Sequence, residues 1–119
     1  MLVVDDDPTV VATILRVLTH GGYQAHHAAH GQAALDFLHG LAHHELPAAL
    51  VIDHHMPVMD GPSMLAELAR HEHLRPIPQL LVSGAGPWAT DVASHAMTLD
   101  KPFSAGTLLD ALGRLLHHS

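Results

Sequence analysis

Leu2-Val3-Val4-Asp5-Asp6-Asp7-Pro8 lies directly behind the first residue, and the change of character inside it decides how the rest of the chain is read. An apolar, β-branched run stops abruptly at three carboxylates, the pattern of a strand buried on both faces that ends in a polar turn. Asp7-Pro8 then reads as a helix N-cap followed by proline at the first helical position. Val11, Ile14, Leu15 and Leu18 recur at helical spacing until Gly21-Gly22 ends the run. The segment is strand, turn, helix.

The rhythm repeats along the chain. Tyr23 to Ala28 predicts a second strand, and Gln32 to Leu41 a helix carrying Ala33, Ala34, Leu35, Leu38 and Leu41. Ala48 to Ile52 is an apolar strand that stops at Asp53. After the loop from His54 to Asp60, whose last residue is read as a cap, Ser63 to His71 presents Met64, Leu65, Leu68 and Ala69 as a third helix. Pro76 and Pro78 precede Gln79-Leu80-Leu81-Val82, a fourth strand stopping at Ser83. Helical character is weak from Thr90 to Ala96, and an indistinct fifth strand ends before Lys101. Leu108, Leu109, Leu112, Leu115 and Leu116 mark a firm last helix. Strands alternating with helices through short loops imply a parallel sheet covered on both faces, with right-handed crossovers. In such α/β sheets a site forms beyond the carboxyl ends of the strands, where the strand order reverses. The residues at those ends are Asp5-Asp6-Asp7, Asp53, Ser83 and Lys101.

Composition narrows the classes of function. A chain of 119 residues builds one core, and 48% hydrophobic against 14% charged residues excludes a disordered tail. No apolar run is long enough to cross a bilayer, and no basic leader precedes Leu2, so neither membrane insertion nor a signal peptide is expected. Cysteine is absent, which excludes disulfides, thiolate metal sites and thiol nucleophiles and is in keeping with a cytoplasmic location. Five Lys+Arg against 12 Asp+Glu give a net charge of −7, and Arg16, Arg70, Arg75 and Arg114 are scattered, so no basic stripe for a nucleic acid exists. The 14 histidines would carry the charge from −7 to +7 on full protonation. Their groups (His26-His27 with His30, His43-His44, His54-His55, His71 with His73, His117-His118) fall on different predicted elements without ligand spacing. They are read as surface composition in place of Lys and Gln, except His54 and His55, which follow Asp53 directly and are candidates to modulate its chemistry.

Carboxylates gathered at one sheet edge repel unless a cation joins them. A hard divalent ion such as Mg²⁺, with oxygen ligands and retained waters, meets that need. A lysine ammonium and a serine hydroxyl opposite complete a pocket suited to a phosphoryl group.

Taken together, Val3-Val4-Asp5-Asp6-Asp7-Pro8, Asp53 with Met56-Pro57-Val58-Met59-Asp60-Gly61, Leu81-Val82-Ser83-Gly84 and Lys101-Pro102-Phe103 resemble the receiver domain of two-component response regulators, in that family's order and across residues 1–119. The resemblance implies a flavodoxin-like five-stranded sheet of order 2-1-3-4-5. It also implies phosphorylation of Asp53 by a histidine kinase or histidine phosphotransfer protein. Mg²⁺ (or Mn²⁺) would be held by Asp5, Asp6, Asp53 and the backbone carbonyl of His55, while Ser83 and Lys101 would meet phosphoryl oxygens. The chain would be no enzyme beyond that self-catalysed transfer and its hydrolysis. Such a domain stands alone, forms a homodimer, or belongs to a larger regulator or hybrid kinase.

Two departures bear on signalling. The stretch from Ser83 to Lys101 is about one helical turn short for the family, and Gly84, Gly86 and Pro87 are poor helix formers, so the fourth helix is expected to be short or irregular. Thr98 stands where the family usually has a switching aromatic residue. Two other functions remain open. One is a pseudo-receiver that binds a partner without phosphorylation. The other is a haloacid-dehalogenase-like phosphatase, since Asp5-Asp6-Asp7-Pro8-Thr9 also fits that family's Asp-x-Asp-x-Thr motif, with Asp5 as nucleophile and Asp7 as general acid.

Overall fold

The computed structural model describes residues 1–53, 59, 61–83, 96–101 and 103–117. Along the chain these form β1 (Leu2–Val4), α1 (Pro8–His20), β2 (His26–Ala28), α2 (Gly31–His39), a 3₁₀ turn (His43–Glu45), β3 (Leu50–Asp53), α3 (Gly61–Arg70), β4 (Gln79–Ser83), β5 (Ala96–Asp100) and α4 (Ala105–His117). All five strands are parallel, in the order β2-β1-β3-β4-β5 expected from the sequence.

Strand alternation divides the core into two layers. Leu2, Val4, Leu50, Ile52 and Leu81 face α2 and α3, where Ala34, Leu35, Leu38, Met64 and Leu68 meet them. Val3, Val51, Leu80 and Val82 point the other way, onto Ile14 and Leu18 of α1 and Leu108, Leu112 and Leu115 of α4. Because both faces are covered, β1, β3 and β4 are apolar at nearly every position, which is why the runs showed no period.

The ends of α1 follow their sequence signals. Asp7 caps it, its Oδ1 accepting from the N–H of Thr9 at 2.9 Å and of Val10 at 3.4 Å, and Pro8 opens it. At the other end Gly22 N–H donates to Thr19 O and Tyr23 N–H to Leu18 O, both at 3.0 Å, with Gly22 at φ +87°. That pair of bonds is a Schellman motif, and the left-handed residue in it favours glycine. Gly21 serves a different purpose: a Cβ there would lie 2.7 Å from Leu109 Cδ2, so its small size lets α1 end against α4.

Several boundaries differ from the sequence reading. The second strand is His26–Ala28 and not Tyr23–Ala28, because the Tyr23 amide closes the α1 terminus and its ring packs on the core. The second helix starts earlier and ends at His39, with Gly40 as its C-cap; His30 caps its start, Nδ1 accepting from the Ala33 N–H at 3.1 Å. The third helix spans Gly61–Arg70. Ala96, read as helical, is the first residue of β5 and pairs with Gln79, a correction imposed by the neighbouring strand. The rest of the weak helical stretch, 90–95, and the irregular fourth helix expected there lie outside the described residues, as does Asp60.

Candidate functional site

The β1–β3 register aligns Leu2 with Leu50 and Val4 with Ile52, so one further step on each strand brings Asp5 beside Asp53. β4 and β5 end together at Ser83 and Asp100, which delivers Lys101 to the same edge. Two acids and a lysine distant in sequence thus meet because three strand ends are in register.

Contacts confirm the meeting. Lys101 Nζ donates to Asp53 Oδ1 at 2.8 Å and lies 3.9 Å from Asp5 Oδ2. Asp5 Oδ1 accepts from the Asp7 N–H at 3.0 Å, and the Asp5 N–H donates to Ala28 O at 3.1 Å. Asp5 is 3% exposed and Asp53 8%, whereas Asp6 is open to solvent. One carboxylate oxygen from each of Asp5, Asp6 and Asp53 falls within 4.8 Å of the others.

Electrostatics follow from the crowding. Burial pushes the Asp5 carboxyl above its ordinary value and the charges of Asp53 and Asp6 push the same way, against the opposing pull of the Asp7 amide and Lys101. For Lys101 burial acts downward, but the hydrogen bond and charge of Asp53, with the charges of Asp5 and Asp7, outweigh it and hold the ammonium above its usual range. Three carboxylates and one ammonium leave −3 + 1 = −2 at this edge when all are ionised. Like charges about 4 Å apart repel by roughly 4 kcal/mol at an effective dielectric near 20, so a divalent cation is the natural complement. An octahedral Mg²⁺ with bonds of about 2.0–2.1 Å sets its ligand oxygens about 3–4 Å apart. The acidic trio fits that ion.

One contributor escaped the sequence reading. His27 Nε2 lies 3.0 Å from the Asp5 carbonyl oxygen, and since a carbonyl only accepts, Nε2 carries the hydrogen and donates. The alternation that turns His26 and His27 to opposite sides of β2 is the only signal for it. Ser83 closes β4, but its hydroxyl lies outside what the structure describes. The backbone carbonyl of His55, with His54, His55 and Gly84, falls outside the described residues. Thr98 is exposed on β5, paired with Leu81.

With a parallel sheet of order 2-1-3-4-5 and an acid–lysine cluster at its carboxyl edge, comparison with known proteins is decisive. The chain belongs to the response regulator receiver domain family, whose profile matches residues 1–113. It is 26% identical over 116 residues to protein Rrf1 of Nitratidesulfovibrio vulgaris, covering 98% of this chain and 81% of that protein. Among solved structures it superposes on the receiver domain of a signal transduction histidine kinase from Syntrophus aciditrophicus with a TM-score of 0.86 and 28% identity, over 98% of this chain and 89% of that one. The receiver domain of a sensor histidine kinase from Pseudomonas aeruginosa, which holds a magnesium ion in its active-site cleft, shares the fold at 24% identity and a TM-score of 0.84; its match covers 98% of this chain.

Proposed function

We propose that residues 1–119 form one receiver domain that takes a phosphoryl group onto Asp53 from a phosphohistidine of a histidine kinase or histidine phosphotransfer protein, and later releases it to water. The observation that carries this is the 2.8 Å bond from Lys101 Nζ to Asp53 Oδ1 beside the Asp5–Asp6 pair. An oxygen of Asp53 forms the new P–O bond as the P–N bond of the donor breaks; the electron pair leaves on the imidazole nitrogen, which takes a proton from solvent. Lys101 orients the carboxylate beforehand and pairs with a phosphoryl oxygen afterwards, and the Ser83 hydroxyl donates to another. Asp5 and Asp6, with Asp53 and the carbonyl of His55, would hold Mg²⁺ or Mn²⁺, which when bound offsets the charge of the phosphoryl oxygens. In hydrolysis water attacks phosphorus, the P–O bond to Asp53 breaks, and inorganic phosphate leaves. Turnover is confined to the domain's own phosphoryl group, in a cytoplasmic relay.

The dehalogenase-like alternative is disfavoured by what Asp5 and Asp7 already do. Lys101 sits closer to Asp53 than to Asp5, and Asp7 is committed to capping α1.

Intact-mass measurement after incubation with acetyl phosphate and Mg²⁺ tests the assignment. Wild type gains one phosphoryl group, Asp53→Asn gains none, and Asp5→Asn gains it at least about tenfold more slowly, as loss of a charge-stabilising group predicts. An adduct that survives Asp53→Asn overturns the proposal, and no adduct on wild type selects the pseudo-receiver.

A further inference from the structure

The fold assembles a second polar cluster that the sequence shows only as scattered histidines. His39, in the last turn of α2, and His71 and His73, just beyond α3, come together in space. Ring centroids are 4.5 Å apart for His39–His71, 5.8 Å for His39–His73 and 6.3 Å for His71–His73. Glu67, one turn back on α3, places Oε2 3.8 Å from His71 Nε2.

We propose that His39, His71 and His73 form a surface site for a borderline-soft divalent transition-metal ion such as Zn²⁺, with the Glu67 carboxylate as fourth ligand. Spacing is the first argument. A tetrahedral zinc holds imidazole nitrogens at about 2.0–2.1 Å, which sets ring centroids about 3.2 Å from the metal and so about 5 Å from one another. The three observed separations bracket that value. The rings meet edge to face or tilted, and their ligand atoms do not converge as those of the acidic trio do, so binding requires the side chains to turn; His39 and His73 are exposed and His71 partly so, which leaves room for that.

Ligand chemistry is the second. Neutral imidazole with one carboxylate suits zinc, nickel and copper, whereas the all-oxygen acidic pocket suits magnesium. Glu67 Oε1 also accepts from Arg70 Nη1 at 3.0 Å. That solvent-exposed pair is worth at most about 1 kcal/mol and does not hold the carboxylate against a metal.

Position is the third. In a parallel α/β sheet each crossover helix returns from the carboxyl edge to the amino edge of the strands, so the C-terminal ends of α2 and α3 lie across the sheet from Asp53. A dication there meets the negative ends of two helix dipoles and ties the helices together. The proposal does not depend on phosphorylation of Asp53.

Zn²⁺ titrated into the untagged chain under excess Mg²⁺, in competition with a chromophoric chelator, tests it. One Zn²⁺ binds wild type; His39→Gln, His71→Gln and His73→Gln each weaken binding at least about tenfold, in line with losing a ligand; His117→Gln and Asp53→Asn leave it within twofold. NMR of the unmutated protein shows the ring signals of His39, His71 and His73 shifting together. Absence of binding, retained affinity in His39→Gln, or a loss in Asp53→Asn equal to that in the histidine variants overturns the proposal.

Discussion

At Asp5 a carboxylate is nearly closed off from water, next to two other acids. Its raised pKa means the native state holds the proton more tightly than the unfolded chain does. The contribution of Asp5 to stability is therefore greatest below the ordinary carboxyl value of 3.8, is lost as pH rises through the raised value, and stays lost above it. Asp5→Asn keeps the acceptor for the Asp7 amide and removes the charge. We expect it to raise stability at pH 7 without divalent cations by about 1 kcal/mol, or about 4 °C in Tm. The gain shrinks toward acid pH and when Mg²⁺ saturates the wild type. Calorimetry across pH with and without Mg²⁺ checks this, and a loss of stability at pH 7 would contradict it. Lys101 behaves in the alkaline range: its raised pKa contributes stability present below 10.5 and lost as pH climbs through the folded value. Asp5 was legible in the sequence because it stands where the apolar run of β1 gives way to acids, and Lys101 because it stands directly before Pro102-Phe103 in the stretch that resembles the receiver family. His27 was not, since its role depends on a neighbouring strand's carbonyl.

Among the elements, α1 gives the clearest case of local signals deciding structure. Asp7 satisfies two otherwise orphaned amides, so Asp7→Ala should cost about 1 kcal/mol while Asp7→Asn costs only a few tenths. Chemical denaturation measures this directly, and Asp53 should still take up phosphate in Asp7→Ala, because Asp7 caps a helix and holds no reacting atom. An equal loss in both variants would show that charge, not capping, is what matters. The buried strands β1, β3 and β4 were readable as unbroken apolar runs. β5 was not: it is an edge strand with Met97 and Leu99 packed on the core and Thr98 and Asp100 exposed, and its alternation is too short to separate from helix. The start of α2 was missed because His30, outside the usual set of capping residues, supplies the cap.

On the scale of the molecule, the chain goes from β1 to one neighbour, β2, and then crosses back to β3 on the other side. That reversal opens the crevice in which Asp5 and Asp53 meet. The parallel sheet and its acidic edge followed from β-α-β alternation and strand-end acids, whereas the strand order came from the resemblance to receiver domains, since alternation alone fits more than one order. The three-histidine cluster followed from neither, because no spacing along the chain reveals that the ends of α2 and α3 adjoin. Asp53, and not another of the clustered acids, is proposed to carry the phosphoryl group. The most direct measurement is borohydride trapping of the phosphorylated protein, which reduces an acyl phosphate to the alcohol and marks its aspartate as homoserine, followed by peptide mass mapping. Homoserine is expected at position 53 alone; homoserine at position 5 would overturn Asp53 as the acceptor.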